Sequence, residues 1–178
     1  MSDRVNSLLL GMTKIVSDDS ARRGLKKIDE QAGIKWLQDH LLSSYKPLLK
    51  TPWILDVDIT VKPLYGHQEG AKIGYNPQKP GRPSHTYHTY MMANTRLVLE
   101  VEVQAGNQAH SNHSLPGLMA LLERLSEDEK PEFVRGDIGY GTDNIMRELE
   151  SISQHYLFKL KRSKNVKVLI EKHHCLGE

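Results

Sequence analysis

Three acids, in two separated groups, could do chemistry in this 178-residue chain. Asp56 and Asp58 lie inside the run Trp53-Ile54-Leu55-Asp56-Val57-Asp58-Ile59-Thr60. Asp137 ends Phe133-Val134-Arg135-Gly136-Asp137 and is followed by Ile138-Gly139-Tyr140-Gly141. Taken singly, an acid at a strand end more often caps a turn. Here, however, an unpaired carboxylate inside an apolar strand is costly, and the glycines around Asp137 allow a backbone or ligand to come close. If the fold brings Asp58 and Asp137 together across their 79-residue separation, the two carboxylates repel and raise each other's pKa. A hard divalent cation removes that penalty, and oxygen ligands suit Mg²⁺ or Mn²⁺. Such a pair is suited to phosphoryl transfer, in which a water or a 3′-hydroxyl is activated and a leaving oxygen is stabilised. Asp56 competes with Asp58, because in an extended strand both point to the same side. Periodicity does not separate them.

The elements that would position these acids follow from the pattern of apolar residues. Leu8, Leu9, Leu10, Met12 and Ile15 form a short apolar segment, and Ser17-Asp18-Asp19-Ser20 carries N-cap chemistry. Apolar residues recur at helical spacing from Ile28 to Tyr45, up to the stop at Pro47. From Trp53 to Thr60 the run is of β type. The stretch from Gly66 to Pro83 is rich in glycine and proline and reads as a long loop. Ser84 to Ala93 and Arg96 to Gln104 read as a hairpin turning at Ala93-Asn94-Thr95. Ser114-Leu115-Pro116 enters a helix with Leu118, Leu121, Leu122 and Leu125 on one face. A short strand at 133–137, a helix capped at Thr142, a strand from Tyr156 to Leu160 and a last helix from Val166 follow. The order is two helices, then β-β-β-α-β-α-β-α. This predicts an α/β fold with a ribonuclease-H-like mixed sheet, preceded by N-terminal helices. In that sheet the first and fourth strands are parallel neighbours, with Asp58 on one and Asp137 on the other. The expected organisation is a helical segment at 1–50, the sheet domain at 51–172 and a tail at 173–178.

Composition narrows the class. With 38% hydrophobic residues and no apolar run near the ~20 residues of a spanning helix, the chain is neither a disordered tail nor a membrane protein. The start lacks a signal-peptide pattern, and the single cysteine, Cys175, has no partner for an internal disulfide; both point to the cytoplasm. The net charge of +2 is mild, so local clusters of cations matter more than the total. The basic stretch Lys159, Lys161, Arg162, Lys164 and Lys167 could meet phosphates, as could Lys62 and the loop Lys79-Pro80-Gly81-Arg82-Pro83. His85 and His88, like His110 and His113, form His-x-x-His pairs. On a strand the first two rings point to opposite faces, which argues against a shared zinc ion. Tyr87, Tyr90 and Trp53 read as core or sheet-face aromatics rather than base-stacking platforms.

Three blocks carry a family resemblance. Residues 53–66 resemble the first catalytic block of bacterial insertion-sequence transposases with a DDE domain. The stretch Gly74-Tyr75-Asn76-Pro77-Gln78-Lys79-Pro80-Gly81-Arg82-Pro83-Ser84-His85 resembles the loop that follows it. Residues 133–141 resemble the second catalytic block. In that family a Thr stands two positions after the first acid, which selects Asp58, with Thr60, over Asp56; the second acid maps to Asp137. The resemblance implies a ribonuclease-H-like fold, Mg²⁺ as cofactor with Mn²⁺ as a substitute, and cleavage and strand transfer at transposon ends. It also implies DNA as partner, both transposon ends and target, and pairing with a second copy or with a full-length transposase. A bacterial, nucleoid-associated location follows. The family's third acid, a Glu in a Tyr-x-x-Arg-x-x-x-Glu block, has no counterpart at that spacing. The chain therefore reads as the front part of such an enzyme, weakly active or inactive, with a tail at 173–178 that has no family character. Glu171, on the last helix, is the one substitute, although beside Lys172 it also reads as a solvated helix acid. The alternative function is a non-catalytic, DNA-binding or dimerising remnant that modulates an intact transposase.

Overall fold

The computed structural model describes residues 16–50 and 52–174, together with Gly11 and Thr13. The apolar segment around Leu8–Ile15 and the last four residues of the tail lie outside the described residues. The chain divides into two compact units, Met1–Leu42 and Ser43–Glu178.

In the first unit, α1 spans Asp18–Leu25. Ser17 caps it by accepting a hydrogen bond from the Ser20 N–H, and Asp18 and Asp19 complement the positive end of the helix dipole. α2 spans Glu30–Tyr45, its residues from Ser43 on belonging to the second unit, and Asp29 accepts from the Ala32 N–H at its start. Ile34, Trp36, Leu37 and Leu41 occupy helical spacing as the sequence suggests, but all four are exposed. Their periodicity marked a helix and not a core.

The second unit is built on a six-stranded sheet. β1 (Ile54–Pro63) pairs antiparallel with β3 (Pro83–Met92) and parallel with β5 (Phe133–Gly136); β6 (Tyr156–Phe158) continues the parallel side. β4 (Leu97–Ala105) and the two-residue β2 (Lys72–Ile73) both pair with β3. α3 (Leu115–Glu123) joins β4 to β5, α4 (Asp143–Ser151) joins β5 to β6, and α5 (Lys164–His174) follows β6. Leaving the short β2 aside, the spatial order β4-β3-β1-β5-β6 is that of a ribonuclease-H-like mixed sheet, as the order of elements predicts.

Several boundaries differ from the sequence reading: β5 ends at Gly136, one residue before Asp137, and α5 begins at Lys164, two residues before Val166. The loop at 66–83 contains β2, whose two pairs with Pro83 and Ser84 are too few to leave an alternation signal. β1 runs on to Pro63, which is tolerated because a proline at a strand end forfeits only one N–H. β6 stops at Phe158, two residues earlier than expected.

Side chains alternate across the sheet. Leu55 and Val57 of β1, with Tyr90 and Met92 of β3 and Val134 of β5, are buried. The helices supply Leu118, Leu121, Leu122, Ile145 and Leu149, also fully buried. Burying such side chains stabilises the fold by roughly 1.5–3 kcal/mol each. Asp56, Asp58, Thr60 and Lys62 lie on the other face of β1, which is more open. Trp53, 2% exposed, precedes β1 and locks it to the segment before β5: its Nε1 donates to the Glu129 carbonyl at 3.0 Å, and the Glu132 N–H donates to the Trp53 carbonyl at 2.8 Å. Among the described residues no helix is long and apolar enough to cross a membrane.

The covered face becomes polar towards β4. The single Tyr90 hydroxyl proton is shared between Glu102, at 3.0 Å, and the Ser114 carbonyl, at 2.8 Å, while Gln104 donates to the other Glu102 oxygen at 2.9 Å. Gly117 of α3 makes room for this carboxylate, since a Cβ there would lie 1.3 Å from Glu102 Oε1. Nearby, Arg124 pairs with the buried Glu100. Burial holds the Glu102 carboxyl above its ordinary range, although the bonds from Tyr90 and Gln104 oppose it. With the folded value raised, this group's contribution to stability is complete below the unfolded value and is lost as pH rises through the folded one. Glu102→Gln removes that loss. Urea midpoints measured between pH 4.5 and 7.5 should shift in favour of the variant, relative to wild type, as pH rises. A wild-type-to-variant difference that does not change with pH would contradict this.

Candidate functional site

The parallel ladder of β1 on β5 pairs Ile54 with Phe133, Leu55 with Val134, Asp56 with Arg135 and Val57 with Gly136. Asp58 and Asp137 each follow the last of these pairs by one residue, Asp58 still within β1 but Asp137 just past the end of β5 and not on the strand as the sequence suggests, because the chain turns there. Both line a cleft of about 360 Å³ shared with Asp56, Val57, Met91, Arg135, Gly136 and Lys159.

Each of the two carboxylates is held at one oxygen. The Thr60 hydroxyl donates to Asp58 Oδ2 at 3.1 Å, two residues along the same strand face. The Gly139 N–H donates to Asp137 Oδ1 at 2.8 Å, closing a turn directly after β5. Neither bond uses the second oxygen. Beneath them Tyr140 is buried against Gly136: a Cβ on Gly136 would lie 2.9 Å from the Tyr140 ring. Burial pushes the Tyr140 hydroxyl upward, and the negative charges of Asp58 and Asp137 add to the effect. Ser111 ties the following turn to the helical layer by donating to the Gly139 carbonyl.

Asp56, the competitor of Asp58, has a different fate. Arg135 grips it in a two-pronged ion pair, Nε to Oδ1 at 2.6 Å and Nη2 to Oδ2 at 2.7 Å. Hydrogen bonding to Asp56, reinforced by its charge, raises the Arg135 pKa further. Both oxygens of Asp56 are therefore engaged, whereas Asp58 meets only a neutral hydroxyl. This is a physical distinction that alternation along β1 does not supply. Arg135 went unread in the sequence, yet a signal for it was there. Asp56 and Arg135 are 79 residues apart, the same offset as Asp58 and Asp137, so one parallel register that pairs the second couple also pairs the first.

The remaining candidates fall into three places. Lys159 lines the cleft. Lys161, Arg162 and Lys164 are exposed beyond β6 and at the start of α5. Lys62 is exposed at the end of β1, and Lys79 and Arg82 lie on the loop leading to β3. Among the described residues no group of three or more His, Cys, Asp or Glu could hold a metal ion, so Glu171 on α5 does not join the two aspartates. His85 and His88 project to opposite faces of β3, His85 half-buried and His88 fully buried.

The sequence matches the family described as transposase DDE domain, group 1, over residues 6–176. No curated protein matches it. Among solved structures, the chain is similar to a chain of the simian T-cell lymphotropic virus intasome in complex with PP2A regulatory subunit B56 gamma, at 13% identity over 67% of this chain and 39% of that one, with a TM-score of 0.41. It is similar to the HTLV-2 integrase catalytic core domain in complex with magnesium at 15% identity, over 73% of this chain and 75% of that one, with a TM-score of 0.40. It is also similar to piggyBac transposase in a synaptic complex with hairpin DNA at 14% identity, over 83% and 31%, with a TM-score of 0.48. The chain spans less than half the length of the first and third of these proteins.

The Asp56–Arg135 pair is partly exposed, with side chains 25% and 47% accessible, so screening limits its strength. Its two-pronged geometry places it at the upper end for exposed pairs. A double-mutant cycle of Asp56→Ala and Arg135→Ala, read by chemical denaturation, should give a coupling of about 0.5–1 kcal/mol that shrinks in high salt. Zero coupling at low salt would show that the pair does not form.

Proposed function

Because the chain belongs to the transposase DDE-domain family, group 1, we propose that it acts on DNA by phosphoryl transfer centred on Asp58 and Asp137. The observation that carries this reading is the β1–β5 register, which leads the two aspartates into one cleft while Arg135 neutralises the third nearby acid.

The donor set fits a hard divalent cation. Mg²⁺, or Mn²⁺ in its place, is commonly held by one or two carboxylates and completes its shell with waters and substrate phosphates. Asp58 and Asp137 would hold it, and when bound it would activate a water or 3′-hydroxyl and stabilise the leaving oxygen. The other tasks fall to the chain itself. Thr60 and the Gly139 N–H fix the orientation of the carboxylates. Lys159, lining the cleft, offers a cation to a phosphate. Arg135 cancels the charge of Asp56, so an approaching DNA backbone meets two uncompensated acids and not three. Lys62, Lys79, Arg82, Lys161, Arg162 and Lys164 extend the positive surface for DNA, in keeping with a protein that works at the bacterial nucleoid.

The third acid of the cleft, Asp56, is taken up by Arg135, and among the described residues no other acid completes a metal-holding group of three. We therefore expect little autonomous cleavage or strand transfer at transposon ends. The same lack favours a second reading, in which the chain binds DNA, or pairs with itself or with an intact transposase, without catalysis.

Metal titration separates the two. On the first reading the wild-type chain binds Mn²⁺, and Asp58→Asn and Asp137→Asn each weaken binding at least tenfold without loss of fold, as followed by calorimetry. Metal binding unchanged in Asp58→Asn, with DNA binding retained, would leave only the second reading. Efficient nicking of transposon-end DNA by the purified chain in Mg²⁺ would contradict the expected weakness.

A further inference from the structure

The connection between β1 and β3, residues 64–82, carries features that the catalytic pair does not use. It is firmly built for a loop. The Leu64 N–H donates to the Pro83 carbonyl at 2.9 Å, and β2 pairs with the start of β3. His85 bonds to the Glu69 carbonyl at 2.9 Å, and the Asn76 side chain accepts from the Lys79 N–H at 3.1 Å. Gly74 rests directly on the backbone of Gly106, where a Cβ would lie 2.0 Å from the Gly106 carbonyl oxygen.

On this fixed scaffold two aromatic rings point outward. Tyr65 is 73% exposed and Tyr75 is 74% exposed, with Ile73 of β2 also exposed. The Arg82 guanidinium lies 4.4 Å from the centre of the Tyr65 ring, covering one face and leaving the rest open. The segment from Lys62 to His85 holds four cations, Lys62, Lys72, Lys79 and Arg82, against one acid, Glu69, in a chain whose net charge is only +2. Exposed rings among cations, on a backbone that does not collapse around them, are the composition of a surface that stacks nucleic-acid bases and neutralises phosphates.

Its position relates it to the cleft. Asp58, Thr60 and Lys62 are the exposed residues along one face of β1, and the loop begins just past them. At about 3.3 Å per residue, Lys62 lies about 13 Å from Asp58 along the strand.

We propose that residues 64–82 form a stacking platform for unpaired bases of a DNA strand leaving the cleft. Tyr65 and Tyr75 take the base faces, and Arg82, Lys72 and Lys79 take the flanking phosphates. Arg82 serves twice, backing the Tyr65 ring and supplying charge. This inference rests on the reading that the chain acts on DNA, and it goes further by naming the form of DNA it holds.

The test uses the full chain with two labelled duplexes, one blunt and one with a six-nucleotide single-stranded overhang carrying 2-aminopurine. By fluorescence anisotropy, wild type should bind the overhang more tightly than the blunt end. Tyr65→Ala and Tyr75→Ala should each lose roughly 5- to 150-fold in overhang affinity, with little change on the blunt duplex. Tyr65→Phe and Tyr75→Phe should stay near wild type, because the ring is kept. 2-Aminopurine emission should be quenched by wild type and the Phe variants and not by the Ala variants. Both tyrosines are exposed, so thermal melts should be unchanged. Equal overhang affinity and equal quenching for wild type and the Ala variants would overturn the platform and leave the DNA reading intact. A wild-type chain that binds neither duplex would overturn both.

Discussion

The parallel contact between β1 and β5 is the constraint on which the site depends. It is only four pairs long, and a parallel ladder is slightly less stable per residue than an antiparallel one. It is reinforced from outside the ladder. Trp53, buried at the foot of β1, exchanges two hydrogen bonds with the segment leading into β5. Leu55 and Val134, both fully buried, form one of its pairs. A slip by one residue would move Asp137 by about 3.3 Å and turn the apolar side chains of β5 to the wrong face. The core therefore enforces the register, and the register sets the spacing of the acids. Stability of the fold and geometry of the site are one requirement.

The same register explains how three acids at one end of a sheet are tolerated. Three uncompensated carboxylates in a small cleft would repel one another and any phosphate. Pairing Asp56 with Arg135 removes one from the balance by a contact within the ladder itself. What remains is the pair Asp58 and Asp137, to which the proposed function assigns a divalent cation. The buried polar cluster of Tyr90, Glu102 and Gln104 lies on the opposite face of the sheet, under α3. There the Tyr90 hydroxyl, the Glu102 carboxyl and the Gln104 amide nitrogen find partners in each other and in the backbone, and they stay out of the cleft.

Much of this was legible in the sequence because it depends on periodicity. The β1 alternation, the hairpin of β3 and β4, and the leucine face of α3 each follow from a repeat of two or of three to four residues. The pairing of distant strands is not periodic, and it was reached through the order of elements. Two features escaped for physical reasons. β2 is too short to alternate. Ile34, Trp36, Leu37 and Leu41 of α2 have the spacing of a buried face but are exposed, because periodicity reports a helix's shape and not what covers it. The Asp56–Arg135 pair was within reach, since its offset equals that of Asp58 and Asp137, but this becomes visible only once a parallel register is assumed.

β1 is the element through which these parts communicate. Its buried face carries Leu55 and Val57 into the core, and its open face carries Asp56, Asp58, Thr60 and Lys62 in succession. A strand is stiff along its length, so the separation between Asp58 and the start of the loop at residue 64 is fixed by residue count. The loop is in turn held to β3 and to Gly106, both bound to the same sheet. Distance along a nucleic-acid strand would then be measured by a rigid rod of protein. Inserting or deleting a residue in β1 between Asp58 and Pro63 would break that measure and flip the alternation together, whereas the same change at the exposed tip of the loop, near Gly81, would disturb neither.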